Sequence, residues 1–250
     1  MDLQRLRTPR VSVALHRIQA ESNGVAVLEY RPRRARNVAL VVGHGYSSSK
    51  HNLDTLCGFL SSHGFAAYSL DFPGHKLGAS GGVLRGMNDC IDAMAATVAF
   101  ARERANGAPI YTLGHSMGAM TALFTAASDE RIAGVVAIAT GYGRPTALTT
   151  LMAAGATDFR SSYVEGIALP ELVADIDGRY DSALGRLAGR PSLFIAATRD
   201  AMVSPQSVRD LYERALEPKT FASVDSDHTL AGEHARGEVL QWLNALHPKA

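Results

Sequence analysis

The sequence has 250 residues, of which 46% are hydrophobic and 20% are charged, and its formal net charge is +1. This length and composition fit a sizeable core, and we expect a single domain over residues 1–250. The near-zero net charge excludes a strong global field that would attract nucleic acid or acidic membranes, so we expect neither as a partner. No apolar run approaches the ~20 residues that cross a bilayer.

The cysteines and the N-terminal residues bear on the compartment. Cys57 and Cys90 lie far apart in helix-like stretches, so we expect free buried thiols. The N-terminal residues lack the apolar core of a secretory signal. Together these features predict a cytoplasmic protein. The ligand spacings of common metal sites, CxxC and HExxH, do not occur in the sequence, so we expect no metal.

Arginine dominates the first part of the sequence. Residues 1–36 contain eight arginines and three acidic residues. We interpret this basic stretch as a solvated edge of the fold rather than as a binding patch. The alternating apolar pattern of residues 11–15 already indicates the first strand.

Strand-like and helix-like stretches alternate along the chain. The predicted strands are residues 11–16, 24–30, 38–42, 66–71, 110–113, 135–139, 192–197 and 219–224. The predicted helices are residues 52–63, 88–104, 117–127, 206–216 and 231–246. The middle and later strands are apolar throughout, which is typical of a parallel sheet buried on both faces. The first two strands alternate and carry charges, which indicates antiparallel edge strands. The pattern therefore predicts an α/β fold.

A glycine-flanked serine lies between the fifth predicted strand and the helix that follows it. The pentapeptide GHSMG at residues 114–118 directly follows the apolar residues 110–113. Such a turn holds the serine outward on a strained backbone, and only small residues two positions away on either side leave room for the bend. A second match to the pattern, centred on Ser80, has no strand before it and indicates a loop. The context therefore predicts Ser116 as a nucleophile.

A serine nucleophile needs a base, and the base needs a group that orients it. His228 follows the last predicted strand and Asp200 follows the one before, so both fall at carboxyl ends of strands, where catalytic groups of open α/β sheets gather. The order Ser116, Asp200, His228 is the order expected with a nucleophile at a strand–helix turn. Asp225 and Asp227 lie too near the histidine in sequence to reach its ring easily. We therefore predict a triad of Ser116, Asp200 and His228.

The tetrahedral oxyanion of acyl transfer needs hydrogen-bond donors. Met117 lies at the N-terminus of a predicted helix, where the backbone N–H groups and the helix dipole favour negative charge. The loop after residues 38–42 contains two glycines that let the backbone turn its N–H groups inward, and Tyr46 is its natural donor. We predict Tyr46 and Met117 as oxyanion-hole residues and His44 as a residue that braces this loop.

Residues 141–190, between the sixth and seventh predicted strands, are longer than the connections usual in α/β units. Glycine and proline interrupt them, and residues 146–154 and 180–187 have helical patterns. We expect a small cap over the open edge of the sheet; an ordinary crossover helix with an irregular lead-in is the alternative. The predicted substrate-binding residues are mostly apolar or aromatic and are Tyr142, Leu148, Met152, Phe159 and Val203. They suit a medium acyl chain or an aromatic acid.

These motifs together resemble the α/β-hydrolase superfamily over essentially the whole chain. The resemblance rests on His44-Gly45-Tyr46, on the segment DFPGH at residues 71–75, on GHSMG, on Asp200 with its downstream Val203 and Pro205, and on His228. It implies a mostly parallel eight-stranded sheet flanked by helices, a cap after strand six, and acyl-enzyme hydrolysis without a cofactor. One departure is Lys76-Leu77, which lengthens a loop that commonly borders the acyl pocket.

The serine at position 116 argues against the dehalogenases and epoxide hydrolases of this superfamily, which use aspartate there. We therefore predict a serine hydrolase that cleaves carboxylic esters or thioesters of small to medium apolar substrates. A peptidase or amidase is one alternative, because Glu165, Glu171 and Asp175 could hold a free amine; a C–C bond hydrolase is another. A receptor with slow turnover is an alternative of a different class. The sequence does not indicate the oligomeric state.

Overall fold

An open sheet of eight strands forms the centre of the molecule, in the order β1-β2-β4-β3-β5-β6-β7-β8. The computed structural model describes residues 10–21, 23–143, 160–176 and 178–248. The strands are β1 (Val11–Gln19), β2 (Gly24–Pro32), β3 (Ala39–Gly43), β4 (Ala66–Leu70), β5 (Ile110–His115), β6 (Gly134–Ile138), β7 (Ser192–Ala197) and β8 (Lys219–Val224). The pairs β1–β2 and β2–β4 are antiparallel, and the remaining pairs are parallel. The predicted fold class is confirmed.

Helices cover both faces of the sheet. Within the described ranges they are α1 (Asp54–Ser62), α2 (Met87–Arg104), α3 (Met117–Ser128), α4 (Leu169–Asp175), α5 (Arg179–Arg186), α6 (Pro205–Arg214), α7 (Ala231–His234) and α8 (Arg236–Leu246), and a 3-10 turn (Lys50–Leu53) precedes α1. None of them combines the length and the apolar composition that a bilayer crossing requires.

The alternation of side chains along each strand divides the core into two layers. On β3, Val41 packs with the core residues of α2 to α6, whereas Leu40 and Val42 face the layer that contains α1, α7 and α8. Strands β3, β6 and β7 are buried at every position, as expected for central parallel strands. Strand β1 alternates and is half exposed, because it forms the edge of the sheet.

Part of the connection between β6 and β7 lies across the loop that follows β4. The Glu165 N–H donates to the carbonyl of Gly74 (2.8 Å), and the Leu84 N–H donates to the carbonyl of Glu165 (2.9 Å). Helices α4 and α5 belong to this connection, and α5 corresponds to the helical pattern of residues 180–187. The other helical pattern, at residues 146–154, lies outside the described residues.

Two glycines let helix α3 approach the sheet very closely. A Cβ added to Gly118 would lie 2.2 Å from the carbonyl oxygen of Gly43 and 2.6 Å from that of His44. A Cβ added to Gly114 would lie 2.0 Å from the carbonyl oxygen of Gly118. Backbone atoms cannot move aside as a flexible side chain can, so the glycines of the pentapeptide are steric requirements of the turn.

We expect Gly118→Ala to lower the free energy of unfolding by about 3 kcal/mol, near the top of the range for overpacking. For a chain of this length that corresponds to a fall in Tm of about 6–12 °C. The matched control is Gly58→Ala in α1, where an added Cβ meets nothing within 4 Å. Because alanine is the better helix former, the control variant should keep or slightly raise its Tm. Equal thermal stability of the two variants would contradict the steric account.

Candidate active site

Ser116 occupies the turn between β5 and α3 with its backbone in a strained conformation. Its φ is 55° and its ψ is −118°, a region that residues other than glycine rarely adopt. The turn is held by the Ser116 N–H, which donates to the carbonyl of Ile138 at 2.9 Å. This local geometry is that of the predicted nucleophile turn, and it projects the hydroxyl to the carboxyl edge of the parallel strands.

The structure brings the three predicted triad residues together. The distance from His228 Nε2 to Ser116 Oγ is 3.0 Å, and that from His228 Nδ1 to Asp200 Oδ2 is 2.7 Å. Ser116 follows β5, Asp200 follows β7 and His228 follows β8. A carboxylate accepts only, so Nδ1 carries the proton that it donates to Asp200. The lone pair of Nε2 is then available to accept the serine proton.

The Asp200 carboxylate accepts three hydrogen bonds. In addition to His228, the N–H groups of Met202 and Val203 each donate to its Oδ1 at 2.8 Å. The competing acids are used elsewhere. Asp225 pairs with Arg199 at 2.7 Å on the surface, and Asp227 accepts from the N–H of Leu230.

His115 contacts the loop of His228, and the sequence analysis did not identify it. Its Nε2 donates to the carbonyl of His228 at 2.7 Å, and the two rings lie 4.9 Å apart. Burial, together with the neighbouring His228, lowers the pKa of His115 to about 3, so this imidazole is neutral at physiological pH. A neutral imidazole has one N–H, and this bond uses it. His115 therefore ties the loop that carries His228 to the end of β5.

We expect His115→Phe to lower kcat by about 10–100-fold with little change in KM, because a displacement of ~1 Å in the base is enough for such a loss. His115→Gln keeps a donor and should recover part of the activity. The control is His234→Phe, which also removes a ring bond to a backbone carbonyl, that of Asp225, but on an exposed helix. Steady-state kinetics of the three variants on one ester, beside their Tm values, make the comparison. A loss that follows Tm alone, with no recovery in the glutamine variant, would contradict a positioning role.

The predicted oxyanion loop lies directly against Ser116. A Cβ added to Gly45 would be 3.4 Å from Ser116 Cβ, so the loop passes beside the serine at Gly45, the residue before Tyr46. Met117 is the first residue of α3, and the first N–H groups of a helix have no partner within it. The side chain of Tyr46 points elsewhere and donates to the carbonyl of Ile167 at 3.0 Å.

His44 braces this loop through both ring nitrogens. Its Nδ1 donates to the carbonyl of Gly45 at 2.8 Å, and its Nε2 accepts from the N–H of Phe72 at 3.0 Å. Burial, with the charge of nearby His75, lowers the pKa of His44 to about 3, so the ring stays neutral. These contacts agree with the bracing role predicted for His44.

A buried ion pair lies at the start of the 3-10 turn that follows the loop of His44 and Tyr46. Lys50 Nζ lies 2.6 Å from Asp71 Oδ2, and the N–H groups of Lys50 and Ala79 also donate to this carboxylate. Burial alone would raise the pKa of Asp71, but these hydrogen bonds outweigh it and lower the pKa. The lengthened loop after β4 therefore folds back onto Asp71 and is anchored there. The Ser80 hydroxyl, at the centre of the second GxSxG match, donates to the carbonyl of Asp71 at 2.7 Å and belongs to this anchor.

A cavity of about 180 Å³ opens beside Ser116 and His228. Tyr142 and Val203, both predicted as substrate-binding residues, line it. Leu148, Met152 and Phe159 lie outside the described residues. Most of the other lining residues were not identified from the sequence, among them Met120, Thr140, Leu169, Val173, Ile176 and Tyr180. Helices α3, α4 and α5 contribute most of this set, and their relative placement could not be read from local patterns.

One carboxylate lines the described part of this cavity, and it is paired with an arginine. Asp181 Oδ2 accepts from the hydroxyl of Tyr142 at 3.2 Å, and Asp181 Oδ1 lies 3.2 Å from the guanidinium of Arg214. The Arg214 guanidinium also stacks over the Tyr142 ring at 3.9 Å. These contacts leave a cavity that is mainly apolar, with a compensated charge at one side. Among the described residues, no group of three His, Cys, Asp or Glu side chains could hold a metal ion.

Comparisons with solved structures agree with this architecture. A membrane phospholipase A, described as a bacterial virulence factor, is 16% identical with a TM-score of 0.72, over 95% of this chain and 87% of that chain. A cold-adapted esterase from an Arctic intertidal metagenomic library is 18% identical with a TM-score of 0.69, over 96% and 95%. An esterase of Pyrococcus furiosus is 22% identical with a TM-score of 0.69, over 95% of each chain. At these identities the similarity establishes the fold alone.

The comparison with family models establishes the family of the chain as well as its fold. No curated protein sequence matches the chain significantly. The family model Hydrolase_4, described as serine aminopeptidase, S33, matches residues 34–177, which is more than half of the chain. This range contains β3 to β6, the predicted oxyanion loop and the pentapeptide around Ser116. The chain therefore belongs to the S33 serine aminopeptidase family of hydrolases (Hydrolase_4) and has the α/β-hydrolase fold.

Proposed function

We propose that this protein is a serine hydrolase that cleaves carboxylic esters or thioesters of small to medium apolar acids through an acyl-enzyme intermediate. The observation that carries the proposal is the hydrogen-bonded chain from Asp200 through His228 to the Ser116 hydroxyl. An isolated serine is a poor nucleophile, and this chain supplies both a base and a group that orients the base.

The reaction begins when Ser116 Oγ attacks the substrate carbonyl and His228 Nε2 accepts its proton. Asp200 keeps the proton of Nδ1 in place and stabilises the imidazolium that forms. The N–H groups of Tyr46 and Met117 donate to the oxyanion; each such donor contributes on the order of 10²–10³ to kcat. The imidazolium then protonates the departing alcohol or thiol, and water attacks the acyl-enzyme by the same route.

The size and lining of the cavity support a compact acyl group. An apolar cavity of roughly 150 Å³ accommodates benzene, so about 180 Å³ suits a short acyl chain or a single aromatic ring. The walls formed by Met120, Leu169 and Val203 favour a hydrocarbon over a sugar or an ion. The hydroxyls of Thr140 and Tyr180 lie 3.1 Å apart, so one donates to the other and the need of this pair for a polar group on the substrate is reduced.

The test is a comparison of kcat/KM for p-nitrophenyl esters of graded chain length, the matching thioesters and the matching anilides. We expect multiple turnover on esters and thioesters, with a maximum at short or aromatic acyl groups and a decline at longer chains. Anilides cleaved faster than esters would contradict the proposal. A single stoichiometric burst without turnover would favour a receptor instead.

The family description favours one second candidate, an aminopeptidase. Such an enzyme needs a free carboxylate to bind the substrate's ammonium group. Of the acids considered for this role, Glu165 lies 3.3 Å from the ammonium of Lys76 and Asp175 pairs with Arg179; neither these nor Glu171 lines the cavity. Asp181 does line it, but it is paired with Arg214 at 3.2 Å. This arrangement favours ester hydrolysis.

We expect Arg214→Gln to raise the ratio of aminopeptidase to esterase activity several-fold, because it frees the charge of Asp181. The measurement compares kcat/KM for alanine p-nitroanilide with that for p-nitrophenyl butyrate. The control is Arg209→Gln, which removes an arginine of the same helix that stacks on Phe221 instead. An unchanged ratio in the Arg214 variant would show that Asp181 does not reach the bound substrate.

A further inference from the structure

A basic groove lies at the edge of the sheet opposite to Ser116. Strand β2 is antiparallel to β4, so it ends where the parallel strands begin, whereas Ser116 follows the far end of β5. The connection from β2 to β3, the end of α1 and the end of α8 surround a cavity of about 920 Å³. We call this cavity the arginine groove. Its basic lining residues are Arg10, Arg33, Arg34, Arg36, His63 and His247.

Within the described ranges, the positive charge in the arginine groove has no acidic partner. No acidic residue of those ranges lines the groove, and the side chains of Arg10, Arg33 and Arg34 make no ion pair or hydrogen bond with any residue that the structure describes. Elsewhere the surface arginines commonly pair with carboxylates, as Arg131 does with Asp129 and Arg199 with Asp225. Four guanidinium groups around one groove, in a chain with net charge +1, concentrate an attractive field for anions.

Part of the arginine groove is rigidly built. The Arg36 guanidinium donates to the side chain of Asn244 and to the carbonyl of His247, and it stacks over the ring of Phe65 at 4.5 Å. Its backbone N–H donates to the carbonyl of Gly64 at 2.8 Å. His247 in turn bonds the hydroxyl of Tyr111 at 2.9 Å. These contacts fix the position of the Arg36 guanidinium at the groove. Burial and the charge of Arg36 lower the pKa of His247, as expected where the potential is positive.

The chemistry of these groups selects the ligand. Guanidinium groups bind phosphate oxygens through paired N–H donors, and a cavity of this size falls within the range of small-molecule sites. Several guanidinium groups around one groove require more than one negative charge on the ligand. The sequence alone indicated a solvated edge for these arginines, but their convergence on one groove favours a binding site. We propose that the arginine groove is a second ligand site, which binds the diphosphate or closely spaced phosphates of a phosphorylated small molecule. The site is separate from the proposed hydrolytic site, because it lies where the parallel strands begin, whereas Ser116 follows the carboxyl end of β5.

The test uses inorganic pyrophosphate and the whole protein, with binding measured by isothermal titration calorimetry at low salt. We expect one site per chain, with orthophosphate at least tenfold weaker. The double variant Arg33→Gln/Arg34→Gln should lose at least tenfold in affinity for pyrophosphate while it keeps its Tm and its ester hydrolysis. The control is Arg186→Gln/Arg209→Gln, which removes the same net charge from exposed positions outside the groove and should bind as the unmodified protein does.

Two outcomes would overturn the proposal. The first is the absence of pyrophosphate binding at millimolar concentration, and the second is an equal loss of affinity in the two double variants, which would mean that only net charge matters. A further measurement distinguishes the source of the phosphate. Vesicles of phosphatidylcholine with 20% phosphatidylglycerol provide the comparison. Binding to these vesicles without binding to pyrophosphate would identify a lipid surface instead of a small molecule.

Discussion

Ser116→Ala is expected to lower kcat for ester hydrolysis by a factor on the order of 10⁵, because the variant lacks the attacking oxygen. The change removes one oxygen atom at a position where serine and alanine have similar backbone preferences, so the fold should persist. Any remaining rate would come from substrate binding and from the donors of Tyr46 and Met117. The measurement is kcat/KM for p-nitrophenyl butyrate beside a thermal melt of the same sample.

The second GxSxG match supplies a matched control within the same chain. The Ser80 hydroxyl donates to the carbonyl of Asp71 at 2.7 Å and accepts from the N–H of Ala26 at 2.8 Å. Ser80→Ala should therefore lower Tm by a few degrees, since each lost hydrogen bond costs about 1 kcal/mol. Its activity at 25 °C should stay within about twofold of the unmodified protein. A reversal of these two effects between Ser80 and Ser116 would refute the assignment of the nucleophile.

Asp200→Asn is expected to lower kcat by a factor on the order of 10⁴, as the equivalent change does in serine proteases. An asparagine in this place would be held by the same N–H groups of Met202 and Val203 at its carbonyl oxygen and would direct its amide N–H₂ toward His228 Nδ1. The imidazole would then carry its proton on Nε2, so it could no longer accept the serine proton. KM should change little, because Asp200 does not line the cavity.

Asp225→Asn is the control for that experiment. Asp225 lies near His228 in sequence, but it is exposed and pairs with Arg199. Surface ion pairs contribute about 0–1 kcal/mol, so this variant should keep both its Tm and its activity within narrow limits. If the two asparagine variants lost activity equally, the orienting acid would have been assigned to the wrong residue.

The local patterns of the sequence were sufficient to predict the sheet. The fully apolar runs around Val41 and Val136 are typical of central strands, and the alternation in β1 is typical of an edge strand. The turn at Ser116 was predictable because only glycine fits at positions 114 and 118. An added Cβ at either position would lie within about 2 Å of backbone atoms. The meeting of the three triad residues was predictable because parallel strands bring their carboxyl ends to one edge of the sheet.

The features that escaped prediction depend on contacts between distant segments. The bond of His115 joins the end of β5 to a carbonyl 113 residues later, and no periodicity reports such a contact. The predicted helix over residues 231–246 is divided at Ala235 into α7 and α8, because Ala235 has a ψ of −9° that ends the first helix. The arginine groove likewise joins the connection after β2, the end of α1 and the residues after α8, which the sequence separates widely.

The most direct measurement of the central claim is the site of covalent labelling by a fluorophosphonate. Such a reagent forms a stable ester only with a serine hydroxyl that is activated by a base. Digestion and mass spectrometry should find one adduct per chain, on the peptide that contains Ser116, with hydrolytic activity lost in proportion to labelling. His228→Ala should abolish the adduct. An adduct on any other residue, or full activity in completely labelled protein, would contradict the account.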